Sequence, residues 1–263
     1  TGVQTCALPI YGKAAQRRQE GFVSRSKTGA LARGRPLHEY CISTGITTPQ
    51  PAQTGRRLHI LLINLPWITI MKRICVFCGS NRGVLPAYEQ AAVTLGQTLA
   101  AEGIGLVYGG GNVGLMGTLA NSVLAAGGEA IGVIPTFLRD KELAHSHLTQ
   151  LHVVDSMHTR KAMMADMADG FIALPGGLGT FEELFEVASW AQLGMHGKPI
   201  GLLNVEHFYQ PLLNLIDTAT QQGFMREQHA GLLLAADTVK ALLARMRDYQ
   251  PSSTHKWLDR KAC

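Results

Sequence analysis

From residue 71 onward, the chain alternates short, continuous apolar runs with longer amphipathic segments. The apolar runs are four or five residues long and cover residues 74–78, 105–108, 130–134, 151–154, 171–174 and 200–203. Helical patterns are expected between Pro86 and Gly103, at about 114–126 and 157–168, from 180, and at about 207–222 and 236–248. Buried strands separated by helices are typical of a parallel sheet covered on both faces. The pattern therefore predicts an α/β fold, with one doubly wound, Rossmann-like sheet in a single domain over residues 71–248.

The first 70 residues differ from the rest of the chain in charge and pattern. They hold nine of the 24 Lys and Arg residues and two of the 19 Asp and Glu residues, so they carry +7 and the remainder −2. The basic pI is thus a property of this segment, and no nucleic-acid partner is expected. We expect 1–70 to be a non-native or disordered leader, Met71 to be the natural start and 249–263 to be a flexible tail. A functional leader is the alternative.

The expectation for residues 1–70 has a direct test. A chain that starts at Met71 should keep both its melting temperature and its activity, because the first core strand begins after that residue. Both are measured beside the full chain. Loss of folded protein on truncation would show that the leader, including its apolar stretch 58–70, docks on the domain.

Composition and residue spacing constrain the cellular compartment, the membrane association and the cofactors that this chain can have. No apolar run reaches the roughly 18–20 residues that span a bilayer, so no membrane partner is expected. Five scattered cysteines do not form a disulfide framework, which favours a reducing compartment and a cytoplasmic protein. Cys75 and Cys78 form a CxxC pattern, but the pair lies in a buried strand and favours core packing. The histidines are not spaced as a ligand set, so neither a metal nor another cofactor is expected.

Glycine-rich loops follow three of the expected strands, at residues 79–83, 109–114 and 175–180. Such loops let backbone N–H groups and a helix N-terminus approach a phosphate closely. Tight turns alone are the alternative for any one loop, and three at the same sheet edge favour a phosphate site. Gly109, Gly111 and Gly114 also match the dinucleotide fingerprint GxGxxG. This match is weak, because the loop follows the second strand and the expected acid, Glu129, precedes a strand.

The third loop continues as PGGLGTFEE over residues 175–183. With YGGG at 108–111, MHTRK at 157–161 and WAQLG at 190–194, it resembles the LOG (LONELY GUY) family of cytokinin riboside 5′-monophosphate phosphoribohydrolases, which were long mislabelled as lysine decarboxylases. The resemblance implies a metal-independent homodimer or larger homo-oligomer. It would hydrolyse the N-glycosidic bond of an N6-substituted adenosine 5′-monophosphate, a small-molecule nucleotide, to the free base and ribose 5-phosphate. A broader AMP nucleosidase and a non-catalytic carrier of a phosphorylated ligand are the alternatives.

The same resemblance assigns roles to individual residues. It makes Arg160 and Glu183 catalytic. The substrate-binding positions that it implies are Ser80, Gly110, Gly111, Glu142, Arg160, Lys161, Gly176, Gly177, Leu178, Gly179, Thr180 and Glu182.

The residues themselves leave two interpretations of Glu183 open. Thr180 and Glu183 have the spacing of a helix capping box, which would be a structural role. Against this, three glutamates at one helix start would repel a bound phosphate, so a cation is expected nearby. Arg160 and Lys161 follow a helix start capped by Asp155 or Ser156, where positive charge opposes the helix dipole. Unfavourable placement of positive charge at a helix N-terminus indicates a functional site. In that site, Arg160 would bind the 5′-phosphate or neighbouring hydroxyls through bidentate hydrogen bonds.

Overall fold

A computed structural model describes residues 71–141 and 143–251 of the chain. The expected leader (1–70), most of the expected tail (252–263) and Glu142 lie outside the described residues.

The described residues form one parallel sheet of seven strands. The strands are β1 (Arg73–Phe77), β2 (Gly105–Tyr108), β3 (Ala130–Pro135), β4 (Gln150–Val154), β5 (Gly170–Ala173), β6 (Ile200–Leu203) and β7 (Leu233–Ala236). Their order is β4-β3-β2-β1-β5-β6-β7. The chain moves outward from β1 to β4, then returns to add β5 on the other side of β1. The sheet is therefore doubly wound, as expected, and its reversal point lies between β1 and β5.

Helices connect these strands and cover both faces of the sheet. They are α1 (Pro86–Ala101), α2 (Gly114–Ala125), α3 (Thr136–Arg139), α4 (Met157–Met167), α5 (Leu178–Gln192), α6 (Gln210–Gln221), α7 (Glu227–Ala230) and α8 (Val239–Arg247). One face packs against α1, α2 and α8, and the other against α4, α5 and α6. Among the described residues, no helix combines the length and the apolar character needed to cross a membrane.

The side chains of β1 show how one strand serves both layers. Ile74 and Val76 enter the core beneath α1, α2 and α8, whereas Cys75 and Phe77 enter the core beneath α4 and α5. This alternation is why a strand buried on both faces reads as a continuous apolar run. Cys75 and Cys78 fall in opposite cores as free, buried thiols, which agrees with packing and not with a redox pair. Burial raises the pKa of both thiols.

The last part of the fold differs from the expectation. Residues 233–236 form β7 and 227–230 form the short helix α7, and the sequence pattern predicted neither element. The sequence of β7 is LLAA, which lacks the β-branched and aromatic residues that mark a strand. Helices α6 and α8 each begin about three residues later than predicted, at Gln210 and Val239.

Candidate active site

The three glycine loops meet at the carboxyl edge of the sheet. They follow β1, β2 and β5, which are direct neighbours. The N–H of Gly79 donates to the Pro175 carbonyl over 3.1 Å, and the Gly79 carbonyl accepts from the N–H of Leu115 over 3.0 Å. The loop after β1 is thus bonded to the third loop and to the first turn of α2, which directly follows the second loop. The predicted convergence of the three loops is present.

Close backbone approach requires glycine at two of these positions. Gly114 has φ +57°, and a Cβ there would lie 2.2 Å from the backbone of Ser80. At Gly176, a Cβ would lie 2.1 Å from the Thr180 hydroxyl oxygen and 2.9 Å from the Gly79 nitrogen. A side chain at either position would push the loops apart, so these glycines hold the edge together.

Helix α5 begins differently from the capping-box expectation. Its N-cap is Gly177, which has no side chain, and its first helical residue is Leu178. Thr180 is therefore the third residue of the helix and cannot cap it. The Thr180–Glu183 capping box is wrong, so capping does not explain Glu183. Because no side chain caps the helix, the N–H groups of its first turn are left for another acceptor.

Glu183 instead forms a buried ion pair with Arg160. Nη1 of Arg160 donates to Oε1 of Glu183 over 2.8 Å, and the two side chains are 9% and 11% exposed. Nε of Arg160 donates to the Val133 carbonyl on β3 over 3.1 Å. Burial raises the pKa of the Glu183 carboxyl, and the charge of Arg160 opposes this shift. A buried carboxylate with a raised pKa at a loop-lined sheet edge is a candidate proton acceptor.

The partners of Arg160 differ from the expected two-pronged grip on a phosphate. Nε and Nη1 are already bonded within the protein. Nη2 makes no hydrogen bond to the described residues, and it is not among their fully buried, unpaired atoms. Its two N–H groups, together with the second N–H of Nη1, therefore remain for substrate oxygens.

Lys161 is also held by the start of α5. Its Nζ bonds to Oε1 of Glu186 over 3.1 Å and to Oε1 of Glu182. Burial opposes the charge on Lys161, but the two glutamates raise its pKa. Ser156 caps α4 by accepting from the Thr159 N–H over 3.1 Å, as one of the two expected caps. The expected cations at the start of α4 thus neutralise the glutamates of α5.

A loop after β3 lies against the second glycine loop. The Gly110 carbonyl accepts from the N–H of His145 over 2.9 Å, and the Leu143 carbonyl accepts from Asn112 over 2.9 Å. His145 is 4% exposed, and its Nε2 lies 3.0 Å from Oδ1 of Asn121. The sequence offers no signal for a role of His145, because its partners Gly110 and Asn121 are distant in the chain. The loop thus places Leu143, Ala144 and His145 beside residues 110–112.

A small cavity opens beside the first and third glycine loops. Its volume is about 190 Å³, and it is lined by Gly79, Ser80, Asn81, Arg82, Gly83, Tyr88, Leu115, Pro175, Gly176, Gly177 and Phe208. The expected substrate residues Ser80, Gly176 and Gly177 are among these. Arg160 and Glu183 do not line it. Arg82, for which the sequence predicts no role, is the exposed cation of this lining and pairs with Glu89 over 3.2 Å.

Tyr209 supports the third loop from beneath. Its buried hydroxyl donates to the Leu174 carbonyl over 2.7 Å, directly before the loop begins, and its backbone N–H donates to Oδ1 of Asn204 over 2.8 Å. Burial raises the pKa of this phenol, so it stays a neutral donor. The sequence offered no signal for this residue beyond its aromatic type.

Tyr209→Phe should loosen the third loop without disturbing the core. Losing one hydrogen bond should lower the free energy of unfolding by about 1 kcal/mol. The KM for a nucleotide should rise by about threefold to fivefold, with a smaller change in kcat. Urea unfolding and steady-state kinetics measure these effects, and Tyr249→Phe is the matched control. An unchanged KM would remove the loop-supporting role.

The doubly wound parallel sheet, with glycine loops at its carboxyl edge, places the chain among Rossmann-like α/β proteins. Its structure is similar to the molybdenum cofactor binding protein from Rippkaea orientalis, at TM-score 0.51 and 22% identity, over 66% of this chain and 94% of that one. It is also similar to the Moco carrier protein of Chlamydomonas reinhardtii, at TM-score 0.50 and 23% identity, over 67% and 99% of the two chains. At these identities the likeness concerns the fold alone.

Sequence comparison identifies the family. The family model described as "Possible lysine decarboxylase" matches residues 116–246. The cytokinin riboside 5′-monophosphate phosphoribohydrolase LOG of Oryza sativa subsp. japonica is 49% identical over 180 residues, which cover 68% of this chain and 74% of that protein. The cytokinin riboside 5′-monophosphate phosphoribohydrolase LOG3 of Arabidopsis thaliana is 46% identical over 192 residues, which cover 73% of this chain and 88% of that protein. The chain belongs to the LOG family of phosphoribohydrolases, as its motifs indicated.

Proposed function

We propose that this protein hydrolyses the N-glycosidic bond of a cytokinin riboside 5′-monophosphate, releasing the free N6-substituted adenine and ribose 5-phosphate. The observation that carries the proposal is the buried Arg160–Glu183 pair behind the uncapped start of α5. A carrier of a phosphorylated ligand needs the anion site but has no need of a buried carboxylate. The names of the relatives agree with this substrate class.

The 5′-phosphate is assigned to the start of α5. There the N–H groups of the first turn lack a side-chain cap, and the helix dipole favours an anion. Gly176, Gly177, Leu178, Gly179 and Thr180 would surround the phosphate, with Ser80 across the cavity. The glutamates that would repel it are neutralised in part, because Lys161 is bonded to Glu182 and Glu186.

The ribose would then lie over Glu183 and the second glycine loop, Gly110 and Gly111. Cleavage of the C1′–N bond passes through an oxocarbenium-like sugar, which a nearby carboxylate stabilises. Glu183 would accept a proton from the attacking water, whose oxygen bonds to C1′ as the bonding electrons leave with the base. The departing base takes up a proton from solvent to give the free adenine. Nη2 of Arg160 would contact a sugar oxygen. Glu142, from the family resemblance, remains a proposed substrate contact outside the described residues.

The experiment is incubation with isopentenyl-AMP and with AMP, followed by quantification of free base and ribose 5-phosphate. Equal molar release of both products supports hydrolysis. The matching ribosides, which lack the phosphate, are the control and should react far more slowly. The ratio of kcat/KM for the two nucleotides separates a cytokinin enzyme from a broader AMP nucleosidase. Nucleotide binding without cleavage would instead make the protein a carrier.

We also propose that the protein works as a homodimer in the cytoplasm. Helix α5 exposes Leu178 and Phe185 at 87% and 43%, and Met195, just past its end, is 52% exposed. Apolar side chains of this kind beside a site suit a self-association surface. The free thiols Cys75 and Cys78 are compatible with a reducing compartment. A monomer by light scattering at micromolar concentration would overturn the dimer.

The pH dependence of turnover should report the raised pKa of Glu183. The carboxylate is the active form, and burial raises its pKa above the ordinary glutamate value of 4.5. Turnover should therefore fall on the acid side at a higher pH than an ordinary glutamate would give. A profile of kcat/KM against pH measures this. Asp217→Asn, at an exposed carboxyl of α6, should leave the profile unchanged.

The raised pKa of Glu183 affects stability and turnover in opposite directions as the pH changes. Because folding raises the pKa of Glu183, its protonation favours the folded state. That contribution is fully present below the ordinary value and is lost as the pH rises through the raised one. In the kcat/KM profile, a fall on the acid side at the ordinary glutamate pKa of 4.5 would contradict the assignment of Glu183 as proton acceptor.

A further inference from the structure

The guanidinium of Arg160 lies directly against the end of β2, at Gly109. A Cβ on Gly109 would lie 2.0 Å from Nη2 and 3.2 Å from Cζ of Arg160. The next neighbour, Sδ of Met116, would be at an ordinary 3.6 Å. Arg160 is therefore the one obstacle among these nearest atoms to a side chain at this position.

The backbone itself does not demand glycine at 109. Gly110 has φ +74°, a conformation that other residues rarely adopt, whereas Gly109 is outside the left-handed region. At Gly111, the nearest atom to an added Cβ is the flexible Cε of Met116, at 3.0 Å. Among these three consecutive glycines, only the requirement at Gly109 arises from a side chain of the proposed site.

Arg160 cannot move aside without losing its partners. Tyr108 of β2 pairs in register with Gly132 of β3, so Gly109 and Val133 lie side by side at the sheet edge. The guanidinium bridges this edge, because Nε bonds to Val133 and Nη1 to Glu183. Displacing Nη2 would strain or break these bonds and leave Glu183 buried without its counter-charge.

We propose that Gly109 is a positioning residue for the reaction: the missing side chain lets the Arg160 guanidinium bond to Val133 and Glu183 while Nη2 faces the substrate. The inference rests on the proposed function for its catalytic meaning. Gly109 touches no reacting atom and acts through Arg160. The phosphate site at the start of α5 does not depend on it.

The first test is Gly109→Ala. Displacement of a catalytic group by about an ångström can lower turnover by about 100-fold, so kcat should fall on that scale. The KM for the nucleotide should change by less than about threefold, because the phosphate contacts remain. Gly231→Ala is the matched control, since an added Cβ there meets only one atom, at 3.9 Å. A Gly109→Ala enzyme with nearly full kcat would overturn the proposal.

A double-mutant cycle with Arg160→Lys tests the cause. Lysine has no Nη2, so adding Gly109→Ala to Arg160→Lys should lower the remaining turnover by no more than about twofold. An equal loss in both backgrounds would show that glycine is required for another reason, and would refute the inference.

Urea unfolding separates this inference from the proposed function. It is measured on the unsubstituted protein, the two single variants and the double variant. Gly109→Ala should lower the unfolding midpoint when Arg160 is present and leave it unchanged in the Arg160→Lys background. This readout needs no substrate. If the unsubstituted protein cleaves neither nucleotide, the proposed function fails, while the unfolding cycle still decides whether Gly109 positions Arg160.

Discussion

Glu183→Gln should lower turnover by about 100-fold or more while nucleotide binding persists. The amide cannot take a proton from water, and it supplies no negative charge beside the ribosyl cation. It retains an oxygen that can accept from Nη1 of Arg160, so the fold should survive. The loss of unfolding free energy should stay below the roughly 3–5 kcal/mol that removal of a buried ion-pair partner costs. Base release measures turnover, and calorimetry measures binding.

Glu186→Gln is the matched control for this change. Glu186 lies one turn further along α5 and bonds to Lys161, which keeps Glu182 as a second partner. Its turnover should stay close to that of the unsubstituted protein. A Glu183→Gln enzyme that is as active as this control would refute the proposed mechanism and leave the fold assignment intact.

Arg160→Lys should impair both turnover and stability. An ammonium keeps the charge but cannot reproduce the planar arrangement that bonds to Val133, Glu183 and the substrate together. We expect kcat to fall by about 100-fold, as for other displaced catalytic groups, and nucleotide binding to weaken. Loss of the bond to the Val133 carbonyl should lower the free energy of unfolding by about 1.5–3 kcal/mol.

Arg139→Lys is the control for this second change, because within residues 71–141 and 143–251 Arg139 pairs only with its exposed neighbour Asp140. Kinetics, calorimetry and urea unfolding on both variants distinguish the cases. If Arg160→Lys matches the control in turnover, then charge alone suffices at this position, and the geometric role of the guanidinium is wrong.

Much of the fold follows from local patterns. The first six strands are within one residue of their predicted positions, because a strand buried on both faces must be apolar throughout. β7 was missed because LLAA suits a helix as well as a strand, and only its pairing with β6 makes it a strand. The edge that carries the site was also predictable, since parallel strands all present their carboxyl ends on one side.

The sequence alone determined the fold class, the three glycine loops and the family, because these depend on contiguous residues. It did not determine the partners of Glu183. The T-x-x-E spacing indicates a cap only if Thr180 is the N-cap, and in the folded protein the N-cap is Gly177, three residues earlier. The Arg160–Glu183 pair joins residues 23 apart on two helices. It exists only because α4 and α5 pack on the same face of the sheet, and because Gly109 leaves room for the guanidinium between them.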